Sequence, residues 1–222
     1  MAVPEPTHFD RDEREVEFTR ALAFSDGVFG IAITLLVVSI DVPQVSGGDI
    51  ERQLLDALDE LGPFVGSYFI SFAVVGLLWL RHHKLFSRIG RLDTAALVIN
   101  LVLLSFVSLM PFSTEVMGRY GDSAVGTSIY ATNLAVAAGA YTWLWWHCTR
   151  AGLLEHLPFP VELRLELASR LSTSVGFLLS IPVAFLLDAR AAQVTWLLTI
   201  VGQQTVLRRF SRAGRLAGSN DR

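Results

Sequence analysis

Only one cysteine, Cys148, occurs in the 222 residues. No intrachain disulfide is possible, and no cysteine metal cluster exists. Charge is scarce too. Asp, Glu, Lys and Arg make up 18% of the chain, and the net charge is −3. That balance is too small to point to a nucleic-acid partner. Nothing resembles a nucleophile with its base, a phosphate loop or a carboxylate pair, so no enzyme and no cofactor are expected. The first 19 residues lack the basic stretch, apolar core and small-residue cleavage site of a secretory signal. They are expected to form a short, polar, partly disordered cytosolic lead-in.

What is abundant is apolar surface. The chain is 52% hydrophobic, with a mean hydropathy of +0.47. Six apolar runs stand out, at about 20–41, 63–81, 94–114, 124–147, 169–187 and 191–207. A spanning helix needs roughly 20 predominantly apolar residues, so each run is a candidate and the short sixth is the weakest. Leu, Val, Ala and Phe with scattered Gly and Ser suit helices. The alternation of barrel strands is missing. Pro63 falls near a helix start, where its missing N–H costs nothing, and Pro182 is expected to kink the fifth span.

The expected architecture is therefore an all-α integral membrane protein with six spans. Residues 1–19 form the cytosolic segment, 20–208 the membrane domain and 209–222 a basic cytosolic tail. With both termini in the cytoplasm, fifteen of the 18 Lys and Arg residues fall inside, and only Arg52, Arg119 and Arg190 fall outside. The tail "RRFSRAGRLAGSNDR" reads as positive-inside charge, with contact to anionic lipid as the alternative.

The first run, "FTRALAFSDGVFGIAITLLVVSI", holds a carboxylate, Asp26, where an ionisable group is costly. At about 100° per residue, Ile31, Leu35 and Val38 share a stripe with Thr34 beside it. Asp26 lies roughly 140° away from Ile31, so it is directed to another helix of its own subunit. His82, His83 and Asn100 are the polar candidates there. Two alternatives stay open. Asp26 is wetted at the interface, or Ser25 or Asp26 caps a helix that starts at Gly27. The second makes the helix short for a bilayer.

These residues resemble the transmembrane-protein-175 family of potassium channels. The family mark is an Arg, three residues, Phe-Ser-Asp and a Gly-Val-Phe-Ala-Ile-Ala-Ile-Thr-Leu-Leu type run. Here Arg20 precedes Phe24, Ser25, Asp26 and "GVFGIAITLLVVSI", with Gly30 where Ala is usual. A second matching region comprises "LLWLRHHKLF" at 77–86 and "DTAALVINLVLLSFVSLMPFSTEVMG" at 93–118. The likeness covers about the first 118 residues well.

The resemblance implies that four copies, each with a single six-helix unit, surround a pore lined by the first helix. No re-entrant filter loop is implied, and no "TVGYG"-like sequence occurs. The main constriction falls on Ile31, with further layers at Thr34 or Leu35 and then Val38. Ser25 and Asp26 join a hydrogen-bond network with a histidine of the 82–83 pair and Asn100. Four Ile31 side chains then gate by dewetting. Potassium, less tightly hydrated than sodium, loses less there, and Thr34 hydroxyls replace some of its waters. K⁺ is the expected permeant ion, selectivity is moderate, and the location is the cell inner (plasma) membrane.

Other groups carry less. His82 and His83 are neighbours in sequence and do not face the same way, so a metal chelate is not expected. Arg20 borders the cytosolic mouth or snorkels to the interface, and nothing favours either. Asp41 and Glu115 read as solvated loop charges, and "YTWLWWHC" at 141–148 as an aromatic belt at the cytosolic interface. The rival functions are a proton-coupled carrier or proton channel using Asp26 and a histidine, and a non-transporting scaffold. The missing inverted repeat and unbroken first helix count against the carrier.

Overall fold

The computed structural model describes residues 8–155, 160–196 and 198–199, and within them the architecture is helical. Helix α1 spans His8–Leu35 and passes into a 3-10 turn at Leu36–Ser39. It reaches back to His8, so much of the polar lead-in is helical. Ser25 and Asp26 sit in the middle of α1, which excludes a helix capped by them and starting at Gly27. Residues 1–7 of the lead-in lie outside the described residues, as do residues 200–222, which hold the end of the sixth run and the basic tail.

An unexpected short helix follows. α2 (Ile50–Glu60) is capped by Asp49, whose side chain accepts from the Arg52 amide, and none of its residues is buried. α3 (Gly62–Phe86) starts with Pro63 in its first turn and carries both histidines. α4 (Thr94–Ser108) is capped by Asp93, whose Oδ1 accepts from the Ala96 amide at 2.7 Å. A turn at Leu109 separates it from α5 (Met110–Tyr120), where Pro111 fits the first turn. α6 (Ala124–Arg150) starts at Ser123, and α7 (Pro160–Leu186) continues through Pro182. Residues 189–196 are again helical, their first turn capped by Asp188 accepting from the Ala191 amide at 2.7 Å.

Four segments among the described residues are long and apolar enough to cross a membrane: Val16–Val38, Gly62–Phe86, Thr94–Tyr120 and Glu166–Leu186. α6, the fourth run of the sequence, is as long but less apolar. Its position gives the reason. α4, α5 and α7 all pack on it, and α7 does so most extensively. Its Ala131, Ala135, Ala137 and Ala140 let these backbones approach, while Tyr130, Leu144 and Trp145 fill the core. A helix covered by protein has no need of a lipid-compatible surface, so Thr127, Asn133 and Thr142 are accommodated within it.

The connections sort to two ends. At one, Arg119 bonds Asp41 at 3.2 Å and Glu115 at 3.1 Å, and Arg190 bonds Asp122 at 3.3 Å. Asp41 and Glu115 thus share Arg119, while their side chains stay 80% and 44% exposed to solvent. At the other, the 87–93 and 151–155 connections pair through an antiparallel bridge, Ile89 with Leu154. The Gly90 amide donates to Leu153 O and the Glu155 amide to Arg88 O, both at 2.9 Å.

Candidate functional site

α1 has two faces of opposite character. Ser25, Phe29, Ala32 and Leu36, spaced by four, three and four, are buried against α3, α4 and α5. Ile31, Leu35 and Val38 point away from the subunit and are 61%, 45% and 68% exposed, with Gly27 and Thr34 beside them. The change to 3-10 geometry after Leu35 keeps this stripe straight. Residues three apart eclipse in a 3-10 turn, so Val38 stays in line with Leu35. The Thr34 hydroxyl donates to its own helix, to Ile31 O at 2.9 Å or Gly30 O at 3.1 Å. Its hydrogen is thereby turned inward and its oxygen lone pairs outward, as an acceptor.

Behind this stripe, a chain of hydrogen bonds ties three helices together. The Asn100 Nδ2 of α4 donates to Ser25 Oγ at 2.9 Å, and Ser25 Oγ donates to Ala21 O at 2.9 Å. Asn100 Oδ1 lies 2.9 Å from His82 Nε2 of α3. The Asn100 amide orientation makes Nε2 the donor. His82 Nδ1 is then a bare acceptor, buried and without a hydrogen-bond partner. The imidazole stacks on Phe86 at 4.2 Å between ring centroids and tilts against Phe29 at 5.3 Å. Ser25, His82 and Asn100 are all buried.

Asp26 bonds elsewhere. Its Oδ1 accepts from Trp79 Nε1 of α3 at 2.8 Å, rather than from His82, His83 or Asn100. The indole is a donor only, so it needs an acceptor inside an apolar span, and the carboxylate needs a donor. Trp79 was the residue missed in the sequence, although one signal for it was present. It lies three residues before His82, on the same side of the helix. His83 is exposed and meets the Trp79 ring at 5.6 Å. Arg20 and Phe24 are exposed and line an open groove between α1 and α4 with Val16, Leu97 and Leu101. Among the described residues no three His, Cys, Asp or Glu side chains gather as a metal site.

The aromatic cluster at 141–148 is not a lipid-facing belt. Tyr141, Trp145 and Cys148 are buried, and only Trp143 is strongly exposed. His147 Nε2 bonds Asp93 Oδ2 at 2.9 Å, Arg150 lies over Trp146, and Arg170 of α7 lies over Trp145 and Tyr141.

The match to the family model falls within the first 118 residues, where the motifs lie, while a relative and a solved structure match across more of the chain. The sequence model for "Endosomal/lysosomal potassium channel TMEM175" matches residues 20–111. A Streptomyces collinus protein named as a potassium channel is 37% identical over 177 residues, covering 76% of this chain and 83% of that protein. A Gallus gallus protein named endosomal/lysosomal proton channel TMEM175 is 34% identical over 110 residues, covering 47% of this chain and 22% of its own length. Among solved structures, a lysosomal potassium-selective channel TMEM175 homolog from Chamaesiphon minutus superposes with a TM-score of 0.71 at 30% identity. That match covers 84% of this chain and 96% of the other.

Proposed function

The chain belongs to the TMEM175 channel family, and from that premise we propose that four copies of it form a moderately potassium-selective cation channel of the plasma membrane. It is a channel protein, not an enzyme. Each subunit contributes six spans, with the 191–207 run as the sixth and both termini cytoplasmic. The sorting of the connections to two ends supports this alternation.

The carrying observation is the two-faced α1. Its core face is filled by Ser25, Phe29, Ala32 and Leu36, while Ile31, Leu35 and Val38 are left largely exposed by the described residues. Around a shared axis these become stacked apolar rings, narrowest at Ile31. Such a constriction excludes ions by dewetting and disfavours the more strongly hydrated sodium. Thr34 oxygens, with their hydrogens turned away, accept the partly dehydrated ion. The Ser25–Asn100–His82 chain and the Asp26–Trp79 bond keep α1 fixed on α3 and α4, so the ring holds its diameter.

Reversal potentials of the purified full chain in planar bilayers test this. A steady current reversing near the potassium potential under opposed K⁺ and Na⁺ gradients is expected. No current, or a reversal near zero, defeats the proposal. A second reading, a proton channel, draws on the proton-channel name of the Gallus gallus relative and the buried Ser25–Asn100–His82 chain. Current that follows a proton gradient when K⁺ is replaced by a bulky impermeant cation identifies it.

A further inference from the structure

Past Leu35, α1 gives up its α-helical hydrogen bonding for the 3-10 turn Leu36–Ser39, and the chain leaves in extended form at Ile40 (φ −100°, ψ 95°). Val38, the outermost layer of the proposed constriction, stands on that turn. Hydrogen bonds in a 3-10 turn are poorer than in an α-helix, so its position depends on what grips it from either side. On one side Leu36 is buried, with α3 and α5 packed on the turn. On the other, Asp41, three residues after Val38, meets Arg119 of α5. The Arg119 Nη2 donates to Asp41 Oδ2 at 3.2 Å, and its Nε donates to Glu115 Oε1, one turn earlier on α5, at 3.1 Å. The guanidinium also lies 5.7 Å from the centre of the Phe64 ring, in the first turn of α3. That ring presses on Gly118, where a Cβ would come within 2.7 Å of it. α3 and α5 are therefore in close contact beside the arginine.

We propose that Arg119 is a positioning residue for permeation: by gripping Asp41 it fixes the outer end of α1, and with it the spread of the Val38 layer. The proposal rests on the channel reading, with Val38 in the pore wall. A planar guanidinium, stacked on a ring and forked between two carboxylates, keeps its direction. An exposed ion pair adds little to the stability of a fold. This one holds a single short turn, and it joins segments 78 residues apart in sequence. A pair acting only through surface charge makes a different demand. Removing Arg119 makes the outer end more negative and removing Asp41 makes it less so, so effects on cation entry run in opposite directions. Loss of a grip runs in the same direction for both.

Two readouts on the purified full chain test this: K⁺/Na⁺ permeability ratios in planar bilayers, and amide hydrogen exchange across residues 36–42. Arg119→Gln and Asp41→Asn should each lower the ratio and speed the exchange by about two- to fivefold, the shift that one exposed ion pair supports. The double variant restores the net charge, yet it should match either single variant, because both remove one contact. Arg190→Gln takes a charge from the same end, out of the Arg190–Asp122 pair, and should leave both readouts at wild-type values. If Arg119→Gln does not yield folded protein by size exclusion, Asp41→Asn decides alone. Unchanged readouts in Asp41→Asn overturn the proposal. Opposite shifts in permeation between the two single variants make Arg119 and Asp41 a surface-charge pair, and additive effects in the double variant make them independent; either result overturns it. The two failures are distinguishable. Wild type without potassium-selective current defeats the channel reading, and unchanged exchange in Asp41→Asn then overturns the grip itself.

Discussion

Ile31 and Asn100 show how little each side chain needs to be special. Ile31 is an ordinary apolar residue whose significance comes from being 61% exposed among the described residues of its subunit. Ile31→Ala removes most of its side chain from the proposed ring, so conductance should rise and K⁺ over Na⁺ discrimination should fall severalfold. Bilayer reversal potentials read this directly, and unchanged selectivity would move the constriction to Leu35 or Val38. Asn100 is the reverse case, buried and doubly bonded. Asn100→Ala leaves the Ser25 and His82 groups it bonds without those partners and should cost about 1–3 kcal/mol, the usual penalty for stranded buried polar groups. Thermal unfolding in detergent should show the loss. Trp79→Phe keeps the ring but strands the Asp26 carboxylate, and should destabilise the chain by a comparable amount in the same assay.

At the scale of elements, the start of α4 carries a pH dependence. Burial disfavours the charged Asp93 carboxylate. The hydrogen bonds from the Ala96 amide and His147, and attraction to the His147 ring, outweigh it and hold the pKa below the usual carboxylate value. A depressed folded-state pKa means the unfolded chain binds the proton more readily. Asp93 therefore contributes stability at pH above its unfolded value of about 3.9, and that contribution is lost as pH falls through the lower folded value. Asp93→Ala should cost about 1 kcal/mol at pH 7, as the loss of a helix cap does. The gap in melting temperature between wild type and variant should close toward pH 3. A gap that widens in acid would contradict the assignment. This cap also anchors α4 to α6 through His147, so the polar chain at Asn100, two turns further on, has a fixed base.

For the whole molecule, the testable property is which end faces which compartment. The single native thiol, Cys148, is buried, so one-site labelling starts from a quiet background. Gln44→Cys lies in the connection at the Asp41–Arg119 end, and Arg91→Cys in the connection at the opposite end. A membrane-impermeant maleimide should label Gln44→Cys on intact cells and Arg91→Cys only after permeabilisation. The opposite pattern would invert the molecule and put the basic residues of the 81–91 segment outside, against the positive-inside rule.

The helical class and most span positions were legible in sequence because both follow from local demands. A backbone in lipid must satisfy its own hydrogen bonds, which forces helices, and helix length follows from bilayer thickness. The division of α1 into a stripe of Ile31, Leu35 and Val38 and an opposing Asp26 followed from periodicity alone. The tertiary structure decided the pairings. Trp79 meets Asp26 across 53 residues, Asn100 meets Ser25 across 75, and Arg170 settles against rings of α6. It also made α6 a helix covered by its neighbours, relieving it of the apolar surface that the other spans carry. Each of these depends on which helices lie side by side and at what rotation. That is a property of packed surfaces, and no repeat within a single helix encodes it.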